Sequence, residues 1–180
     1  MKFSGKWGIV CSYTGGIFLV TPYLPQLIRL ASSRWSSSGV SRFVLCVEII
    51  IALLILTLAI VFLFYKRKKS VLFLISIGGI FLLSFIIYQF LPNPYEFTHL
   101  PEYAILSILI VRALDKEKRS NFIKNSYFLS GLITGIIGTG DEVYQYFLPK
   151  RFFTWYDIAL NILGGILGIL IYWRIKNHES

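Results

Sequence analysis

Histidine and acidic side chains recur at helical spacing within the hydrophobic segments of this 180-residue sequence. His99 and Glu102 are three residues apart, so they share one face of a helix. A histidine beside a carboxylate can act as a general base, and Glu142 is the other candidate for that role. These residue types and spacings predict a polar site whose candidate catalytic residues are His99, Glu102 and Glu142.

A second group of polar residues favours ligand binding over catalysis. Asp157 and Asn161 are four residues apart, and Arg151 lies in the turn that precedes them. The planar guanidinium of an arginine can hold a phosphate or carboxylate through two hydrogen bonds. Arg151 can instead pair with Glu142 or Asp157, and both roles are compatible if a ligand displaces the internal partner. The candidate ligand-binding residues are Gln145, Arg151, Asp157 and Asn161.

Metal binding receives weak support from the sequence. His99 could ligate a metal ion together with Glu142 or Asp157. A lone histidine with scattered carboxylates lacks the short ligand spacings of common metal motifs, so we predict no metal and no cofactor. Asp141 adjoins Glu142 but points about 100° away on a helix, which predicts that Asp141 faces the lipid head groups.

Composition places these residues in an integral membrane protein. Hydrophobic residues make up 56% of the chain and charged residues only 15%, whereas soluble domains carry about 25% charged residues. An acidic residue or an arginine at the centre of a bilayer costs roughly 2.5–3.5 kcal/mol, so such groups line a site or pair with one another. The predicted fold class is an all-α bundle of five or six transmembrane helices.

The hydrophobic segments divide the chain into four predicted parts. Residues 1–43 form a weak span or interfacial segment, interrupted by glycine and proline, with a serine-rich linker at 32–41. The other parts are a transmembrane helix with a basic cytoplasmic loop (44–70), a four-helix membrane domain (71–173) and a cytoplasmic tail (174–180). The five clear spans are about 44–65, 71–91, 98–114, 127–147 and 155–173.

The charges predict how the chain is oriented. The net charge is +9, and the basic residues cluster at 66–69 and 112–124. Cytoplasmic loops of membrane proteins carry such an excess of lysine and arginine. We therefore expect these loops and the C-terminus to be cytoplasmic, the polar site to face the extracytoplasmic side, and no nucleic acid to bind. Cys11 and Cys46 lie in apolar context and are expected to be buried thiols without a redox role.

Two further patterns concern helix packing. Residues 88–92 recur, with small changes, as residues 144–149. The recurrence indicates either two parallel helical hairpins, 71–111 and 127–170, as in transporters built from repeats, or a chance similarity of apolar segments. Small residues also line one face of each of the last two spans, which predicts that these two spans pack together. These helix-packing residues are Gly131, Gly135, Gly164 and Gly168.

The polar and glycine positions combine into one spaced motif: Glu142-x-x-Gln145, Pro149-x-Arg151 and Asp157-x-x-x-Asn161-x-x-Gly164-x-x-x-Gly168. This motif is similar to the signature of the VanZ-like membrane proteins, with at least seven positions agreeing in type and spacing. The segment His99-x-x-Glu102-Tyr103-x-x-Leu106 resembles their upstream motif. The resemblance covers about 71–173, and it departs at Glu96, where many members carry a lysine.

The resemblance implies a multi-pass protein of the bacterial cytoplasmic membrane. The family takes its name from a member that gives low-level resistance to teicoplanin, a glycopeptide that acts on cell-wall precursors outside the membrane. A contribution to glycopeptide resistance is therefore one expectation. The family has no established biochemical activity, so the resemblance implies a context and no reaction.

Three classes of function are compatible with the sequence. The first is an outward-facing site that binds an envelope lipid, a lipid-linked cell-wall precursor or an amphiphilic drug. The second is a small transporter or flippase that acts as a homo-oligomer, although the cytoplasmic halves of the spans contain few polar residues. The third is a structural membrane protein whose polar cluster only locks the packing of its helices. The expected partners are membrane lipids or a lipid-linked envelope precursor.

Overall fold

The computed structural model describes residues 5–36, 38–39, 42–43, 46, 70–90, 94–117, 125–149, 151 and 153–179. These residues form an all-α structure, which confirms the predicted class. The helices are α1 (Gly5–Val20), α2 (Leu24–Trp35), α3 (Ser70–Tyr88), α4 (His99–Glu117), α5 (Ser126–Tyr146) and α6 (Trp155–Glu179). Short 3-10 turns occupy Thr21–Tyr23 and Pro94–Thr98.

Three segments of the described residues are long and apolar enough to cross a membrane: Gly5–Trp35, Glu96–Asp115 and Trp155–Lys176. This finding agrees with a membrane protein. The predicted spans 71–91 and 127–147 coincide with α3 and α5, and their crossing of the membrane stays a prediction. The predicted span 44–65 lies outside the described residues except for Cys46. The bundle of five or six spans and the internal repeat also stay predictions.

The chain divides into two compact units. One consists of Met1–Gln26 with His99–Ser180, and the other is Leu27–Thr98. In the second unit, the ring of Tyr88 packs edge-on against that of Phe97 at a centroid distance of 5.6 Å. All the candidate site residues lie in the first unit.

The break between α1 and α2 occurs at prolines. Pro22 occupies the start of the 3-10 turn, and Pro25 lies in the first turn of α2. Because proline lacks an N–H and its ring collides with the preceding turn, a helix cannot continue unchanged through such a pair. The glycines at 15–16, by contrast, lie inside α1 without interrupting it. The prediction that they break the segment was wrong.

The serine-rich segment begins as helix. Helix α2 continues through Ser32 and Ser33 to Trp35, so the predicted linker is wrong over these residues. Ser36 then adopts a left-handed backbone conformation with φ of 59°, and its hydroxyl accepts a hydrogen bond from the Gly39 N–H at 3.2 Å. A residue in this conformation commonly follows the last turn of a helix. Helix α2 therefore ends through its own local geometry.

Helix α1 packs on α4 through an apolar core. Val10 and Ile17 join a buried cluster with Leu106, Ile110 and other residues of α4. Cys11, one position along from Val10, is exposed, as is Cys46. The prediction that these two thiols are buried was therefore wrong, since the packed face of α1 does not include Cys11.

Two glycines of α6 lie directly against the backbone of α4. A Cβ atom added at Gly164 would collide with the Leu100 carbonyl oxygen, and one at Gly168 would collide with the Ala104 carbonyl oxygen and the Ser107 hydroxyl. Apolar burial gives little driving force between helices in lipid, so van der Waals contact at small residues matters most. The predicted partner of these glycines was α5, and the structure corrects it to α4.

Helix α5 packs through a face that is rotated from the predicted one. A Cβ atom at Gly131 would only touch Ile169 at 3.4 Å, and at Gly135 it would meet nothing within 4 Å in the described part of the chain. Among the described residues, Gly135 is therefore not a site of close helix packing. The buried face of α5 consists instead of Ser126, Ser130, Thr134, Gly138, Asp141, Glu142 and Gln145.

Asp115 joins the three site-bearing helices at the ends remote from the candidate site. Its Oδ1 accepts a hydrogen bond from the Ser126 hydroxyl at 2.6 Å. Its Oδ2 accepts one from the Tyr172 hydroxyl at 3.0 Å and forms an ion pair with Lys176. One carboxylate thus links α4, α5 and α6. The C-terminal tail predicted to begin at 174 is helical as far as Glu179.

The helix crossing gives a first testable prediction. Gly168→Ala should lower the free energy of unfolding by about 1–3 kcal/mol or more, because the new methyl group would overlap the backbone of α4. Gly135→Ala is the matched control and should be neutral or stabilising by roughly 0.5–1 kcal/mol, since alanine favours a helix over glycine. Thermal unfolding of both purified variants in detergent measures the difference. Equal melting temperatures for Gly168→Ala and Gly135→Ala would contradict the close contact between α6 and α4.

Candidate functional site

The candidate site lies where the first turns of α4 and α6 meet the last turns of α5. His99 begins α4, Asp157 lies in the first turn of α6, and Glu142 lies near the end of α5. His99 is 5% exposed, while Asp157 and Glu142 are 1% and 0% exposed. Buried groups of this kind require hydrogen bonds, opposite charges or a bound ligand. The structure therefore brings together three side chains that are far apart in the sequence.

Gln145 links the two acidic residues of α5. Its side-chain nitrogen donates one hydrogen bond to Asp141 Oδ2 at 3.1 Å and another to Glu142 Oε1 at 2.9 Å. Adjacent carboxylates repel each other strongly in a low-dielectric environment, and a shared donor reduces that repulsion. Gln145 was predicted to bind a ligand, and in the structure its amide orients both acids.

Asp141 is inside the cluster, which corrects the prediction that it faces the head groups. It is 1% exposed. Besides Gln145, its carboxylate accepts hydrogen bonds from the Tyr103 hydroxyl at 3.3 Å and the Thr21 hydroxyl at 3.4 Å. The spacing of four between Asp141 and Gln145 was the signal that places both on one face. The roles of Tyr103 and Thr21 had no such signal, since only tertiary contacts bring them to Asp141.

His99 and Glu102 contribute from α4. The His99 ring stacks on that of Tyr103 at a centroid distance of 6.1 Å and an angle of 21°. Its Nδ1 atom is buried and has no hydrogen-bond partner among the described residues. Glu102 is half-buried and interacts electrostatically with Asp141 and Arg151. The predicted pair therefore lies in the cluster, but with Asp141 as an unpredicted neighbour.

Asp157 has a local structural partner. The Thr154 hydroxyl donates a hydrogen bond to Asp157 Oδ2 at 2.7 Å and accepts one from the Asp157 N–H at 3.1 Å. Thr154 thus acts as an N-cap, since its hydroxyl accepts from the otherwise free N–H of Asp157. Asp157 also interacts electrostatically with Glu142. Asp157 therefore takes part in the capping of the first turn of α6 and also lies close to the acids of the site.

Asn161 connects α6 to α5. Its side-chain nitrogen donates a hydrogen bond to the Gly138 carbonyl at 3.2 Å. A Cβ atom at Gly138 would lie 2.9 Å from Asn161 Cβ and 3.1 Å from the Tyr103 ring, so this position requires glycine. Asn161 was predicted to bind a ligand, and its observed contact is between helices. Its side chain also lies next to His99.

Arg151 supplies positive charge to the cluster. Its side chain is half-buried, and its Nε atom has no hydrogen-bond partner within the described ranges. The guanidinium interacts electrostatically with the titratable groups of α4 and α5 at the site: His99, Glu102, Asp141 and Glu142. Arg151 thus faces several acids at once, and donor capacity remains for a further anionic group.

The shared donor of Gln145 gives a second prediction. Gln145→Glu keeps the shape of the side chain, removes the two donated hydrogen bonds and adds a further acid beside Asp141 and Glu142. The variant should lose at least about 2 kcal/mol of stability, because the acids lose a buried donor. Gln26→Glu is the control, since Gln26 is exposed. Thermal unfolding in detergent should show a lower melting temperature for Gln145→Glu alone, and unchanged stability would contradict the observed bonding.

Comparisons of the chain with protein-family models, with curated proteins and with solved structures found no match.

Proposed function

We propose that this chain is a VanZ-like bacterial membrane protein whose buried polar site binds the anionic head group of an amphiphilic ligand. The ligand is an envelope lipid, a lipid-linked cell-wall precursor or an amphiphilic drug such as a glycopeptide. The observation that carries the proposal is the half-buried Arg151 at the edge of a buried polar cluster. The sequence motif shared with the VanZ-like proteins supports the same assignment.

The chemistry of Arg151 favours an anionic group. A guanidinium presents a planar set of donors that matches the oxygens of a phosphate or carboxylate. The Nε atom of Arg151 makes no hydrogen bond to the described part of the protein, so binding would satisfy it. A ligand that draws Arg151 away from Glu102 and Glu142 must compensate those acids. An amine elsewhere on the ligand, or a further cation, would do so.

The membrane context supports an amphiphilic ligand. An apolar groove of about 880 Å³ follows α5 and α6, with lining residues from Tyr127 to Val143 along α5. Its lining includes the exposed Gly140 and Val143 of α5, whereas Asp141 and Glu142 between them in the sequence are buried. In this proposal the groove is the place on the surface of α5 and α6 where an acyl tail of the ligand would lie. The positive-inside bias orients the head-group end outward, where cell-wall precursors are exposed.

Replacing Arg151 tests the proposal. Arg151→Ala should reduce retention of an anionic phospholipid, a polyprenyl phosphate or teicoplanin by about tenfold or more, because a charge-assisted pair contributes roughly 1.5–3 kcal/mol. Arg151→Lys should retain part of the affinity, since the charge remains and the fork geometry is lost. Native mass spectrometry of the protein with each ligand in turn measures retention and separates the three ligand classes.

Arg112→Ala is the matched control. Arg112 is exposed and lies near the end of α4 remote from His99. Its loss should leave ligand retention unchanged. If Arg151→Ala folds and retains every tested ligand as the unmodified protein does, the binding proposal is wrong. In that case, a loss of stability in Arg151→Ala and Asp157→Asn would favour the alternative of a purely structural polar cluster.

A transporter or flippase is the second candidate. One observation favours it. Three buried hydroxyl groups lie in the interior of the bundle, between the candidate site and Asp115, and they belong to Ser107, Ser130 and Thr134. The expectation of few polar groups in this half of the spans was therefore incomplete. The Ser107 and Ser130 hydroxyls, however, donate to the carbonyls of Ala104 and Ser107 at 3.0 Å. Two of the three hydroxyls are thus used within the bundle, whereas the Thr134 hydroxyl has no hydrogen-bond partner among the described residues.

Cysteine labelling distinguishes binding from transport. After replacement of Cys11 and Cys46, single cysteines at Ala113 and Leu167 would report on the interior of the bundle. Both positions are buried, so a binding protein should show no labelling by a charged thiol reagent from either side of a membrane vesicle. Cysteine at the exposed position Arg112 is the positive control. Ligand-dependent labelling of Ala113 or Leu167 would instead support a transport path.

A further inference from the structure

We propose that His99, Asp141 and Glu142 form a binding site for a divalent transition-metal ion. Each of the three buried residues offers one ligand atom, and these atoms all lie within 4.8 Å of one another. Ligands at about 2.0–2.2 Å from a zinc ion are separated by roughly 3–4 Å. Small side-chain adjustments would therefore bring all three atoms onto one ion.

Unsatisfied polar atoms point independently to a missing ligand. His99 Nδ1 and Glu142 Oε2 are buried and lack hydrogen-bond partners within the described structure. His99 is 5% exposed and Glu142 is 0% exposed, so bulk water does not readily serve these atoms. A buried polar atom without a partner costs free energy, and coordination of an ion would remove that cost.

The charge balance of the cluster also favours a cation. The carboxylates of Glu102, Asp141, Glu142 and Asp157 interact with one another or with Arg151. A single guanidinium cannot neutralise all of these acids, so the remaining acids either hold a proton or are compensated by a further cation. Unpaired buried charges are strongly destabilising, whereas a bound divalent ion becomes the largest local charge and compensates them. The ion would also leave Arg151 available for an anionic ligand.

The donor set selects the kind of ion. Mg²⁺ and Ca²⁺ prefer oxygen ligands alone, whereas an imidazole favours zinc and related transition metals. Three protein ligands leave a coordination position open, as in sites where zinc holds a water or another exogenous ligand. The geometry therefore points to Zn²⁺ or a similar ion. This inference departs from the prediction of no metal, because Asp141 was expected to face the head groups and is instead buried beside His99 and Glu142.

Neighbouring donors orient the two carboxylates. Gln145 donates to both Asp141 and Glu142, and the Tyr103 hydroxyl donates to Asp141. Metal-binding carboxylates are commonly held in this way by a surrounding layer of hydrogen bonds. The inference is independent of the proposed lipid ligand, because binding of Zn²⁺ alone tests it.

Equilibrium dialysis of the full chain with Zn²⁺ is the test. The protein, purified in detergent and stripped with a chelator, should bind one Zn²⁺ per chain as measured by elemental mass spectrometry, and excess Mg²⁺ should not displace it. His99→Gln and Asp141→Asn should each weaken binding by at least about tenfold. His178→Gln is the matched control and should bind as the unmodified protein does, since His178 is near the other end of α6.

Two results would overturn the proposal. One is the lack of stoichiometric Zn²⁺ binding by the unmodified chain, and the other is equal binding by folded His99→Gln, Asp141→Asn and His178→Gln. If the cluster variants do not fold, X-ray absorption of the zinc-loaded unmodified chain decides. A spectrum that shows one imidazole and oxygen ligands around the zinc ion would support the site. A sulfur ligand, which the exposed Cys11 or Cys46 would supply, excludes it.

Discussion

The close contact of α6 with the backbone of α4 determines where the polar residues lie. Gly164 and Gly168 allow this contact because any side chain there would collide with the carbonyl groups of α4. In a membrane, apolar side chains gain little by leaving lipid for protein, so backbone proximity at small residues becomes the main packing interaction. The same contact brings the first turns of α4 and α6 together. His99 and Asp157 thereby reach the acids of α5.

The residues of the polar cluster differ in how far their polar atoms are hydrogen-bonded within the protein. Gln145, Asp157 and Asn161 each have hydrogen bonds within the protein that orient a neighbour or connect two helices. His99 and Arg151, in contrast, retain buried nitrogen atoms without partners in the described residues. Arg151 suits an anionic head group, and the cluster around His99 suits a metal ion. The two proposed ligands are compatible, because the cation would compensate the acids that Arg151 leaves.

The sequence predicted several features that depend on local properties of the chain. Hydrophobic length located α3, α4 and α5 to within about three residues at each end, and it located the start of α6 but not its end. The i, i+4 spacing of Asp157 and Asn161 predicted side chains on a common helix face, and both are buried. The serine-rich segment was less predictable, because serine favours neither helix nor linker strongly and Ser32 and Ser33 continue α2.

The sequence by itself determined the all-α class, the apolar helices and the order of polar residues along them, because these follow from composition and spacing. Only the tertiary structure decided which helix Gly164 and Gly168 contact, and that Asp141 turns into the cluster. A helix can bury a wide face, and adjacent residues such as Asp141 and Glu142 can both lie within it. Contacts with the rest of the structure determine which face of α5 is buried. The hydroxyls that donate hydrogen bonds to Asp141, those of Thr21 and Tyr103, come from distant parts of the chain.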